Sequence, residues 1–473
     1  MPGLQPVGAA VVCPRRGTYA RPTRSRRGSV LVIVLWVSLA SAALFYASTR
    51  GLIGELRRQK ASVDAVRAEA AAMAGIEKAR YLLATLEPDP NSPDILSSPD
   101  PLDSFTGTDL DGACFFLLKE SPGETIAELG LVDQSARLNL NTASLRRIEE
   151  LPDMTPELAA AIVDFRDADD TPLPYGAESS FYLGLPRPYR ARNTPFESIS
   201  ELLLVRGMTP AVLYGEDRNL NGILDANEDD GARSFPPDDA DGVLDRGMYP
   251  LVTVSSASPA HPAGDDWADL NSDMSAKIAG VLVGRVSRDA IFRVMRCIYP
   301  NGSRGARRNL ESLGDLVKSF PDFASAALKN DLATVFRYCA VSQDSVAKGL
   351  VNINTAPQEV LRTLPSIDDS LAIAIVAERD AGGHDFSTVC WLLDVPGMTP
   401  EDFAGLVPLI SARSSLYTAD CVGTSLNGDV SSRILATIDT STPEMIVVSA
   451  QVWDCTGGAL DFEAAREAKW TGK

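Results

Sequence analysis

Twelve residues from Asp217 to Glu228, DRNLNGILDANE, place oxygen-bearing side chains at the spacing of a calcium loop. In that pattern Asp217, Asn219 and Asn221 supply side-chain oxygens, Gly222 makes the sharp turn and Ile223 presents its carbonyl. Asp225 binds directly or through water, and Glu228 closes the shell with both oxygens. An all-oxygen, acidic set selects a hard cation, and extracellular sites of this kind suit millimolar Ca2+. Pro236 and Pro237 bar an immediate exit helix, so the loop is not a complete EF-hand. A second stretch, DDADGVLDRG, repeats part of the pattern with Asp239, Asp241 and Asp245 around Gly242, without a closing Glu. Two readings stay open there: a second ion held with help from Asp229 or Asp230, or a solvated acidic turn.

Other chemistry is scarce. The chain has two histidines among 473 residues, His261 and His384, far apart and both in loop-like contexts, which argues against a histidine metal site or a Ser-His-Asp triad. His384, in AGGHDF, reads as a solvated turn residue. No motif pairs a nucleophile with a base, so no catalytic residue and no enzyme activity is expected. A formal charge of −19 argues against a general polyanion binder.

The elements that must hold the acidic loops announce themselves by repetition. Residues 138–167 and 351–380 align without a gap, thirteen of thirty identical, and FESISELLLVRGMTP from Phe196 aligns with FSTVCWLLDVPGMTP from Phe386. The two copies, 138–210 and 351–400, differ by 23 extra residues in the first, around PYGAESSFYLGLPRPYRARN. Each reads as a short strand, a helix capped by Thr142 or Thr355, a tight turn after Leu-Pro, a second helix, and a further helix ending at Gly-Met-Thr-Pro. These look like helix-hairpin-helix units. Units of that kind grip phosphate with amides of a glycine-containing turn. Here the turns read LPDMTPE and LPSIDDS, with Asp153, Asp368 and Asp369 where phosphate would sit. At about 1 kcal/mol per close charge contact, such turns weaken nucleic-acid binding, and a rigid helical scaffold is the expected role.

At the N-terminus, Arg15, Arg16, Arg21, Arg24, Arg26 and Arg27 precede 21 uncharged residues, Ser29 to Thr49, long enough to cross a bilayer. A secretory signal cleaved near SLASAA is the alternative. The pattern continues, however, without proline to Glu87, with Ala61, Ala65, Ala68, Ala72, Ile76, Ala79 and Leu83 at helical spacing. One long helix is expected, apolar first and amphipathic after.

A basic leader ending in RRG before such a helix resembles the type IV pilins and pseudopilins. That resemblance implies cleavage after Gly28, leaving Ser29 first. Cutting there would leave 38 basic against 63 acidic residues, or −25, and six cysteines. Cys421 and Cys455 are a candidate pair, with buried free thiols as the alternative. Ile33 stands where most such subunits carry Glu, a departure shared with the minor pseudopilin that sits at a fibre tip. Together with the calcium loop, LNLNTA and VNINTAP, and strand-like runs after residue 411, the chain is similar to the protein K family of large minor pseudopilins in type II (general) secretion systems. Implied are an α/β pilin-like domain, a long N-terminal helix plus a small antiparallel sheet, interrupted by a large helical domain with two helix-hairpin-helix (SAM-like) repeats. The divisions expected are leader 1–28, transmembrane part 29–49, amphipathic helix and first strands 50–130, inserted domain 131–410, and final strands 411–473. Also implied are a tip complex with other minor pseudopilins, contact with exported proteins, a single pass through the inner membrane and a periplasmic bulk. The insertion would be too bulky for another subunit to stack above it. The alternative from another class is a membrane-anchored helix-hairpin-helix DNA-binding protein of the competence type.

Overall fold

The computed structural model describes residues 27–85, 89–93, 105–107, 110–119 and 128–453, the last span without 218, 221, 223, 226, 234–236, 263, 303–305, 321–324, 426–429 and 443–444. Two compact units divide at Ser62 and Val63. One helix, α1 (Arg27–Thr85), supplies all the described residues of the first unit and opens the second. In the first unit, Val30 to Tyr46 leaves its large apolar side chains exposed, and the helix is long and apolar enough to cross a membrane, with a window of mean hydropathy 2.4.

In the second unit, the part of α1 beyond Val63 packs on a seven-stranded antiparallel sheet. Its spatial order is Thr106–Gly107, Ala113–Lys119, Leu416–Ser425, Ser431–Asp439, Ile446–Trp453, with two-residue strands Glu128–Leu129 and Val132–Asp133 completing it. The middle strand pairs Cys421 with Leu117 on one side and Tyr417 with Ile438 on the other. Alternate residues Phe115, Leu117, Tyr417, Ala419, Cys421, Ile434, Ala436 and Ile438 therefore face the helix, as the two-residue period requires. Helix and sheet meet through small residues. A Cβ on Gly423 would lie 2.0 Å from the Ala68 carbonyl oxygen, and one on Gly75 would lie 2.1 Å from Cys421 Sγ. Ala68, Ala72, Ile76 and Ala79 are buried as the stripe predicts, joined by Ala71 and Leu82. Ala61 and Ala65 are exposed, because the contact with the sheet begins only about one turn further on. Cys421 is a buried free thiol, and Cys455 lies outside the described residues.

The sheet is interrupted between Val132–Asp133 and Leu416–Ser425 by helices that share their own apolar core. Three units, not two, build that core. Each starts with a two-residue strand, Leu138–Asn139, Ala268–Asp269 or Val351–Asn352, paired in parallel with Val252–Thr253, Cys339–Ala340 or Ile410–Ser411. In each, the first polar residue accepts from the amide two positions on: Asn139 from Asn141 (2.9 Å), Asp269 from Asn271 (2.8 Å), Asn352 from Asn354 (3.1 Å). The second asparagine then spans the gap between chain segments. Asn141 donates to the Phe196 and Val254 carbonyls, Asn271 to those of Leu310 and Val341, and Asn354 to those of Phe386 and Ala412.

The expected threonine caps are corrected by this arrangement. Helices Leu145–Glu149 and Gln358–Arg362 begin at Ser144 and Pro357 without a side-chain cap, while Thr142 donates back to the Asn139 carbonyl and Thr355 to Asp133. The real caps lie after the tight turns: Thr155 accepts from the Leu158 amide, Ser287 from Ala290 and Asp368 from Leu371. His384 is also not a solvated residue; it packs beside the Phe386 and Trp391 rings with Nε2 3.2 Å from Glu378.

Where the chain leaves the sheet, Asp133 is buried and accepts from the Ser135 amide (2.7 Å), Asn352 Nδ2 (2.7 Å) and Thr355 Oγ1 (2.7 Å). Burial pushes its carboxyl above the usual range, against the pull of those hydrogen bonds.

Candidate metal centre

The calcium-type loop grows out of the helix Pro210–Tyr214. Thr209 caps that helix through the Val212 amide (3.2 Å), and Gly215, at φ 62°, turns the chain out of it. Gly222 sits at φ 69°, a conformation that favours glycine, and its amide donates to Asp217 Oδ2 at 3.0 Å. The Asp225 amide donates to Glu228 Oε2 at 3.1 Å, and Asn219 Nδ2 donates to Asp225 Oδ2 at 2.7 Å. Asp217 and Glu228 are each 1% exposed. Asn221 and Ile223 lie outside the described residues.

A turn in the left-handed region with two buried carboxylates bounding twelve residues is a donor set that fits a hard cation. One group works against it: Arg246 Nε stands 3.6 Å from Asp217 Oδ2. Arg433 anchors the loop from outside. Its guanidinium pairs with buried Asp420 on the neighbouring strand and donates to the carbonyls of Asn219 (2.9 Å) and Leu220.

In the second acidic stretch, Asp239, Asp241 and Asp245 are exposed. Each accepts from the amide two residues on, at 3.2, 2.8 and 2.9 Å. Asp229 links the stretches by accepting from the Gly242 amide (3.1 Å), and the Asp230 amide donates to Asp238 (3.2 Å). Burial, followed by the negative charges of Asp239, Asp245 and Asp238, pushes Glu216 up although it accepts from the Asp245 amide.

Among the described residues, a close group of three acidic side chains lies elsewhere. Asp164, Asp167 and Glu178 bring ligand oxygens within 4.8 Å of one another, on the helix Pro156–Arg166 and the excursion that follows it in the first repeat copy. Asp164 is 0% and Glu178 1% exposed. Burial first, then the charges of Asp164 and Asp167, push Glu178 up to about 7. No local motif marks this group, whose members are spread over fifteen residues from Asp164 to Glu178. Its signal is Asp164 on the apolar face of PELAAAIVDFR, where a charge has no reason to be buried unless something answers it.

Gly28 and Ser29 fall in the opening turn of α1. At the hairpins, the amides that a phosphate would need are already used by Thr155, Asp368 and, after the second turn of the later copy, Thr399, which accepts from Asp402 at 3.1 Å.

Residues 130–214 match the family model for type II secretion system protein K, and residues 346–411 match that for the helix-hairpin-helix motif. A type II secretion system protein K of Pectobacterium carotovorum subsp. carotovorum is 41% identical over 64 residues, 14% of this chain and 20% of that protein. The matched stretch thus spans about a fifth of that relative's length. Among solved structures, a chain of the GspK-GspI-GspJ complex from the enterotoxigenic Escherichia coli type 2 secretion system aligns over 85% of this chain and 99% of its own, at 15% identity and a TM-score of 0.36.

Proposed function

Because the chain carries a type II secretion system protein K segment at residues 130–214, we infer that it works as a minor pseudopilin, a structural subunit without catalysis of its own. The observation that carries this reading is where the segment lies: it begins at the Val132–Asp133 edge of the helix-backed sheet, as the chain departs into the helical block. In this role, α1 anchors the subunit in the inner membrane after cleavage between Gly28 and Ser29, and the bulk stands in the periplasm. The subunit sits at the tip of the fibre with other minor pseudopilins and starts or caps it for protein export, a place in which the helical block would be too bulky for a further subunit to stack above it. Mass spectrometry of the chain recovered from membranes containing a prepilin peptidase should find Ser29 first. A start after Ala42 or Ala43, or an uncut chain, removes the fibre role.

Calcium belongs to the same reading. Asp217, Asn219, Asn221, Ile223, Asp225 and Glu228 would hold one ion, and Asp230, Asp239, Asp241 and Asp245 would support it or a neighbour. Bound calcium would offset the repulsion that raises Glu216 and hold the loop against Arg433. At a concentration a hundred times Kd it would add about 2.7 kcal/mol of stability. The double variant Asp217→Ala, Glu228→Ala should lose the larger part of any calcium-dependent rise in melting temperature. Equal melting of the parent in calcium and in chelator rejects the assignment.

A further inference from the structure

The first repeat copy contains a buried acidic pocket that the calcium-type loop does not explain. Glu178 is 1% exposed, and both of its carboxylate oxygens are buried without a hydrogen-bond donor. Its nearest acidic neighbours are Asp164 and Asp167, with ligand oxygens of all three within 4.8 Å. Asp164 accepts from the Leu173 amide through both oxygens (3.2 Å each), and Asp167 feels the charge of Arg166. Burial and the charges of Asp164, Asp167 and Asp170 press on Glu178 against the pull of the Ser179 amide, and burial with the charges of Asp167 and Asp169 presses on Asp164. A carboxylate stripped of water among other acids, with both oxygens short of a well-formed hydrogen bond, is costly.

We propose that Asp164, Asp167 and Glu178 form a site for a hard divalent cation of the calcium class, separate from the 217–228 loop. The ligand chemistry is entirely carboxylate oxygen, which suits Ca2+ over metals that favour sulfur or imidazole. The fold builds the pocket deliberately close. A Cβ on Gly176 would lie 1.9 Å from Asp164 Oδ2, so the excursion can settle on the helix only with glycine there. The positions matching Asp164 in the other two units are Ala377 and Arg296, both exposed. Only the first copy covers this step of the helix, and it covers an acid. The ion would tie the end of the helix Pro156–Arg166 to the start of the helix Ser179–Tyr182, fixing the extra segment in place.

The test is the number of calcium ions bound by the full chain in detergent, measured by equilibrium dialysis with calcium alone as the probe. Glu178→Gln keeps the shape and removes the charge, and should lower the count by one while leaving melting in chelator unchanged or higher. In the Asp217→Ala, Glu228→Ala background, calcium should still raise the melting temperature, and adding Glu178→Gln or Asp167→Asn should abolish that rise. An unchanged count in Glu178→Gln, or a loop variant that melts identically in calcium and in chelator, overturns the proposal. Because the second background already lacks the loop ligands, failure of the loop assignment and failure of this site give different results.

Discussion

Position 164 of the first copy and position 377 of the second are the same step of the same helix, yet one is a buried aspartate and the other an exposed alanine. Around them the copies agree closely: Arg166 and Arg379 each reach back to the carbonyl of the alanine that opens their unit, Ala143 or Ala356. The scaffold is thus maintained by backbone-directed bonds common to the copies. Novelty enters where an insertion roofs over a face that the other copies leave in water. A repeat can gain a site without changing its fold, because burial alone converts an ordinary surface acid into a group that must be answered.

Three kinds of substitution would break or sharpen this comparison. The largest effect is expected at the bridging asparagines. Asn141→Ala, Asn271→Ala and Asn354→Ala each leave two carbonyls and one donor without a side-chain partner, and should each destabilise the chain by about 3 kcal/mol in chemical denaturation. A much smaller loss at Asn271 would remove the middle unit from the family of three. Next come the tight turns, where Asp153 and Ser366 occupy matching positions at φ 54° and 63° while the middle unit has Gly284 at φ 81°. Asp153→Gly and Ser366→Gly should each stabilise by up to about 1 kcal/mol, read as a rise in melting temperature, since glycine adopts that backbone freely. Smallest is Ala377→Asp, which copies the first unit's acid onto the uncovered helix. It should change stability by no more than about 0.5 kcal/mol and add no bound calcium in equilibrium dialysis. A gained ion there would show that the acid, not its roof, makes the site.

Much of this architecture was legible in the residues. The long helix, the strands on either side of a helical block and two of its three units follow from periodicity and internal identity. The middle unit was hidden because ADLNSDMS keeps only the polar-apolar-Asn core of LNLNTAS and VNINTAP, while its parallel strand partner lies some 70 residues away. The caps were misassigned for a related reason. Thr142 and Thr355 stand one turn early, and their hydroxyls are used by Asn139 and Asp133, a competition that no local pattern records. The loop from Asp217 to Glu228 was readable because the oxygen-bearing residues of its pattern are close in sequence. The Asp164 group was not, since Glu178 looks like any loop acid until the excursion folds back over the helix.

The stitch at Asp133 bears on the order in which the protein assembles. The central sheet pairing, Cys421 with Leu117, joins residues roughly 300 apart, and closing a flexible loop of that length is slow even though its entropy grows only with the logarithm of length. A helical block that has already folded presents Asn352 and Thr355 to Asp133, and so delivers the C-terminal strands to the waiting edge. On that argument the sheet is expected to form last, and pulse-labelled hydrogen exchange that protected its amides before those of the helices would refute it. With the block as its template, a chain damaged in the second repeat copy would be expected to expose unpaired strand edges before it lost its helices.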